Sequence, residues 1–135
     1  MRGLSLGLAA LLIAGLTSAA RASPLLECGV MSAEAADLNA CLSAQLEVSH
    51  GAMEEALALA RASAEALDQA AGGDAAVLGV EASQQAFEAY RDTVCQTEAT
   101  FADSPRAADV ELACKVALTR ARTDALLRLS VPRPD

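Results

Sequence analysis

Apolar residues along this chain recur every three or four positions and rarely in strict alternation. From the middle of the chain, Met53, Leu57, Ala60, Ala64, Leu67 and Ala71 fall at alternating spacings of four and three. That is the narrow seam of a helix packed on its neighbours. Gly72-Gly73-Asp74 ends it and offers Asp74 as a cap for the next helix. A second stripe of the same spacing runs through Val80, Ser83, Phe87, Tyr90, Val94, Thr97 and Phe101. Asp103-Ser104-Pro105 then restarts the chain, a capping side chain followed by proline at the first helical position. The third stripe is Val110, Cys114, Ala117, Leu118, Ala121, Ala125 and Leu129, and Pro132 and Pro134 terminate it. Upstream, Ser23 to Met31 reads as irregular. Ser32 caps a helix through Val48, with Glu34 and Asp37 near its positive end. Ser49-His50-Gly51 marks a break, because glycine weakens a helix by about 1 kcal/mol relative to alanine. The pattern predicts an all-α fold: a small antiparallel bundle of three helices, or four if the chain breaks at His50.

Composition supports that class. Hydrophobic residues make up 53% of the chain, but many are alanine, which buries little and lets helices approach closely. Tryptophan is absent, and the aromatics are one Tyr and two Phe. So few aromatic and β-branched residues argue against a sheet.

The first residues read as an export signal. Arg2 precedes an uncharged apolar run from Leu4 to Leu16, and Ala20-Arg21-Ala22 supplies the small residues that a signal peptidase reads. The longer apolar run from Leu4 to Ala20 is marginal for the roughly 20 residues a spanning helix needs, so no stable membrane insertion is expected after cleavage. Glu27 stands where a lipidated cysteine would follow a small residue, which disfavours lipidation of Cys28. Residues 1–22 are therefore assigned to a signal peptide and 23–135 to a single helical domain, periplasmic or secreted. The formal charge of −8 disfavours nucleic acid, which is bound by releasing counterions with Lys and Arg. It favours a cationic protein or envelope component, or simply maintains solubility.

All four cysteines, Cys28, Cys41, Cys95 and Cys114, lie beyond the signal. An even number in a short exported chain points to disulfides, and without a Cys-x-x-Cys pair a zinc site is disfavoured. With a turn near Asp103, Cys95 and Cys114 lie roughly 12 and 16 Å from it on neighbouring helices, nearly level as a disulfide requires. Cys28 precedes the first helix and Cys41 sits within it, so the segment between can fold back. Cys28–Cys41 with Cys95–Cys114 is the favoured pairing; two other connectivities remain open.

Catalytic chemistry finds little to use. His50 is the single histidine, so Glu47-x-x-His50 has no second copy with which to build a di-iron centre. With a single histidine and with the cysteines expected to be oxidised, a Ser-His-Asp or Cys-His site is also disfavoured. The polar candidates are Arg91, Asp92 and Arg122, either facing a partner or bracing the apolar seam with their stems. Tyr90 is expected to pack on the seam, and Thr119 to return a hydrogen bond to its own helix.

Five elements in order complete the reading. They are Cys28; Leu38-Asn39-Ala40-Cys41; Gln84-Gln85-Ala86-Phe87; Tyr90-Arg91-Asp92-Thr93-Val94-Cys95; and Cys114-Lys115-Val116-Ala117-Leu118-Thr119-Arg120-Ala121-Arg122. Over about Cys28 to Leu129 the chain resembles the lysozyme inhibitor LprI-like family of small secreted four-cysteine helical proteins. It departs from that pattern at Phe87, where the family usually has Trp, and at His50 to Leu57, a poor match to an Asp-x-x-Leu-Asn-x-x-Tyr element. The resemblance implies a secreted binding protein that inhibits lysozyme; the residues themselves, with no catalytic or metal-binding pattern, lead us to expect no enzymatic activity and no cofactor. The competing reading is a structural or stress-related envelope protein with another ligand.

Overall fold

The computed structural model describes residues 23–31 and 34–131. The expected signal peptide and the expected Ser32 cap lie outside these residues. Four α-helices are present among them: α1 (Pro24–Met31), α2 (Ala35–Ala71), α3 (Ala75–Thr100) and α4 (Ala107–Ser130), with one 3₁₀ turn at Ser104–Arg106. The all-α bundle and both favoured disulfides are present. Cys28–Cys41 joins α1 to α2 and Cys95–Cys114 joins α3 to α4.

Two boundaries differ from expectation. The Ser23 to Met31 segment is helical. Pro24 occupies its first position, and the Ser23 carbonyl accepts from the Leu26 and Glu27 amides at 2.8 and 3.0 Å. Eight residues form a marginal helix alone. Here Cys28 is fully buried and disulfide-bonded, so packing supplies what propensity does not. The expected break at Ser49-His50-Gly51 is absent, and α2 runs unbroken for 37 residues, about 55 Å. Gly51 faces solvent, while Ser49, Leu42 and Met53 are buried on either side. Burial along the continuous face outweighs the glycine penalty.

The core has two parts. One combines Met53, Ala56, Leu57, Ala60 and Ala64 of α2 with Val80 of α3 and Leu126 of α4, edged by Phe87. The other joins Cys28, Leu42 and Ala113, with Leu25, Leu38 and Leu112 against them. The α2 seam follows the expected stripe as far as Ala64, but Leu67 and Ala71 are exposed, and the next buried position is Asp68. On α3 the buried residues are Val80, Gln84, Cys95 and Ala99, so Tyr90 and Phe101 point outward. On α4 they are Asp109, Ala113, Val116, Thr119 and Leu126 rather than the stripe through Leu129.

These shifts share a cause. In alanine-rich helices several faces carry similar apolar content, so tertiary polar partners decide which face turns inward. Asp109 is buried and accepts a 3.0 Å hydrogen bond from Asn39 of α2. Asp68 supplies the cap expected of Asp74: its Oδ1 and Oδ2 accept from the Ala76 and Val77 amides at 2.9 Å each. Asp74 occupies the cap position without a side-chain hydrogen bond. Gly72 closes α2 as expected, with φ of 73° and its amide on the Asp68 carbonyl at 2.8 Å. Thr119 is fully buried and its hydroxyl has no partner among the described residues; its carbonyl instead accepts from the Thr123 hydroxyl.

Candidate partner-binding faces

The α3–α4 hairpin brings the sequence-predicted polar residues together around one ring. Cys95 and Cys114 hold the helices at 5.4 Å between Cα atoms. About two helical turns from Cys95, Phe87 is flanked by the Arg91 guanidinium at 5.8 Å and the Arg122 guanidinium at 5.6 Å. Both distances suit cation–π attraction. Arg91 donates from Nε to Asp92 Oδ1 at 2.9 Å, and its side chain is only 13% exposed. Asp92 is more than half exposed.

Arg122 reaches across the hairpin. Its Nε donates to Gln84 Oε1 at 3.0 Å and its Nη2 to Ser83 Oγ at 2.8 Å. Gln84 in turn donates to Glu88 Oε1 at 3.0 Å, so a neutral amide bridges cation and carboxylate. Burial lowers the Arg122 pKa, since its direct partners are uncharged. Arg91 and Arg122 thus stand on Phe87, and Asp92 presents its carboxylate to solvent.

A second polar cluster was not evident in the sequence. Arg120 of α4 clasps Glu27 of α1: Nη1 lies 2.9 and 3.0 Å from the two carboxylate oxygens and Nη2 lies 3.0 Å from one. Gln45 of α2 accepts from Nη2 at 3.2 Å. The fork borders an open cleft of about 420 Å³ that Ser49, Ala52 and Thr123 also line. Its partners are separated by 93 positions in the chain, so no local pattern reveals it.

The hydrogen bonds from Arg120 hold the Glu27 carboxyl below the usual glutamate range, against a smaller upward pull from burial. A carboxyl depressed on folding stabilises the fold above its unfolded pKa of about 4.3. That contribution fades as pH falls through the folded value. Acidification from about pH 5 to pH 3 should therefore lower the melting temperature of the parent more than that of Glu27→Gln. Equal losses in the two melts would show that the fork adds nothing.

His50 lies on the exposed side of α2, 3.9 Å from Glu54. Among the described residues, no group of three His, Cys, Asp or Glu side chains could hold a metal ion. No helix among them is long and apolar enough to cross a membrane.

No curated protein and no solved structure matches the chain. The family model described as lysozyme inhibitor LprI matches residues 28–126, a span holding all four cysteines, the Phe87 cluster and Arg120, though not its partner Glu27. The disulfides and this family point together to an extracellular or periplasmic protein. With the match covering most of its length, the chain belongs to the lysozyme inhibitor LprI family.

Proposed function

We propose that this protein is exported through residues 1–22 and inhibits a lysozyme by binding it, without catalysis of its own. The observation that carries this reading is the family match over residues 28–126, which spans both disulfides and most of the bundle. A formal charge of −8 supports it, because an acidic field steers encounter with a cationic lysozyme. In this reading Asp92 faces the partner, while Arg91 and Arg122 position the hairpin by their stacking on Phe87.

The test is a titration of purified protein against lysozyme in a cell-wall clearing assay. Inhibition is expected at modest molar excess, and it should weaken between low and physiological salt as screening shortens the field. Full clearing at large molar excess at both salts would overturn the proposal.

A further inference from the structure

Phe101 is the clearest misfit between sequence pattern and fold. It is one of only two phenylalanines, and it stands 87% exposed at the end of α3. The other, Phe87, is packed between two guanidiniums. A protein so poor in aromatics leaves one of its largest apolar side chains in water, where it adds nothing to the core.

The segment that carries it is held in shape. The Phe101 amide donates to the Glu98 carbonyl at 3.1 Å, the Ala102 amide to Ala99 at 3.2 Å and the Arg106 amide to Asp103 at 2.8 Å. Pro105 lies inside the 3₁₀ turn, and Cys95–Cys114 ties the helices behind it. Beside Phe101, the residues Leu25, Leu38, Ala102 and Val110, with Asp103 and Asp109, line a groove of about 480 Å³. Arg106 stands at its edge with a side chain 76% exposed, 3.6 Å from an even more exposed Asp103. That surface pair is weak and leaves the guanidinium available. An exposed aromatic beside an exposed Arg on a pre-organised turn has the composition and stiffness of an interface anchor.

We infer that the α3–α4 connection is the part of this protein that enters the substrate cleft of the glycosidase, with Phe101 as apolar anchor and Arg106 paired to the cleft's carboxylates. This rests on the inhibitor reading above. The occupant follows from the family match and from the guanidinium of Arg106: enzymes that cut glycosidic bonds carry a pair of carboxylates in the cleft. An Arg fork matches a carboxylate in geometry and sign. The wider acidic surface meets the cationic rim; at the tip Asp103 offsets Arg106, so the pairing rests on the geometry of the exposed guanidinium and on the Phe101 anchor rather than on a positive field.

The experiment measures lysozyme affinity by calorimetry for the parent, Phe101→Ala, Arg106→Glu and Leu78→Ala, with and without a chito-oligosaccharide filling the cleft. Phe101→Ala is expected to weaken binding about thirtyfold, as for an interface hot spot. Arg106→Glu should weaken it at least tenfold, and the oligosaccharide should compete with the parent. Leu78→Ala, an exposed apolar residue near the other end of α3, should bind within about twofold of the parent. Both loop variants should keep the parent's melting curve, since neither side chain is packed; if one misfolds, the other decides. Unchanged affinity in the folded loop variants, lack of competition, or an effect of Phe101→Ala on self-association alone would overturn the loop assignment and leave the inhibitor reading standing. A parent that does not bind lysozyme would overturn both.

Discussion

Reducing both disulfides should lower the melting temperature by more than about ten degrees. The bonds close short loops, with sequence separations of 13 for Cys28–Cys41 and 19 for Cys95–Cys114. The chain-entropy model assigns roughly 3 kcal/mol to each. In a domain of this size, 1 kcal/mol moves the midpoint by about 4 °C. Little else can compensate, because four of the buried hydrophobics on α2 and α4 are Ala56, Ala60, Ala64 and Ala113. The two bonds should also separate. Cys28→Ser with Cys41→Ser removes the covalent tie of α1, whose buried residues are only Pro24 and Cys28, and leaves it held by Leu25 and the Glu27–Arg120 fork. Cys95→Ser with Cys114→Ser loosens the α3–α4 hairpin and should depress the global transition further. Circular dichroism melts with and without a phosphine reductant provide the measurement. Superimposable curves would show that helix packing alone sustains the bundle.

Leu126→Ala is expected to be among the costliest single changes, at about 2–5 kcal/mol. Leu126 is fully buried and is the one α4 residue in the larger core cluster. Around it the neighbours from α2 are largely Met53, Leu57 and alanines. Alanine methyls cannot extend into the space a deleted leucine leaves, so the cavity should persist. Against a typical total of about 5–15 kcal/mol, a loss of that size brings the fold near its limit. Leu129→Ala provides the control. The apolar spacing of α4 places Leu129 on the core stripe, yet it is 47% exposed, and its loss should cost well under half as much. Denaturant titrations of the two variants decide between the stripes. A larger loss at Leu129 would mean that α4 is rotated from the orientation described here.

How much of this was legible in the sequence varies by element. The helical class and the level placement of Cys95 and Cys114 follow from spacing and rise per residue, which are local quantities. Gly72 ends α2 for an equally local reason, since its positive φ is easily reached only without a side chain. The family resemblance on the cysteine-centred elements agreed with the family match over residues 28–126. What failed was the choice of inward face. Tyr90, Phe101 and Leu129 look like core by hydrophobicity, whereas the buried set includes Asp68, Gln84, Asp109 and Thr119. Three of these polar residues are accommodated by partners from other helices or by helix-end amides. Asn39 and Asp109 are 70 positions apart and Arg120 and Glu27 are 93, so such partners lie beyond any periodicity. Asp68 alone left a trace, an acid in phase with Met53, Leu57 and Ala64 just before the Gly72-Gly73 turn. The stacking of Arg91 and Arg122 on Phe87 left none.

Asp68 also limits how this protein can change. Exposed polar turns usually accept extra residues at little cost, because closing a slightly longer loop is cheap. The Gly72-Gly73-Asp74 link is exposed and polar, yet it is not free in that sense. One carboxylate from the last turn of α2 must reach the Ala76 and Val77 amides at once, at 2.9 Å each. An inserted residue would carry those amides out of reach and leave a buried acid without its acceptor role. The length of the link is thus set by the reach of a single aspartate, so insertions between these two helices are excluded where surface exposure alone would permit them.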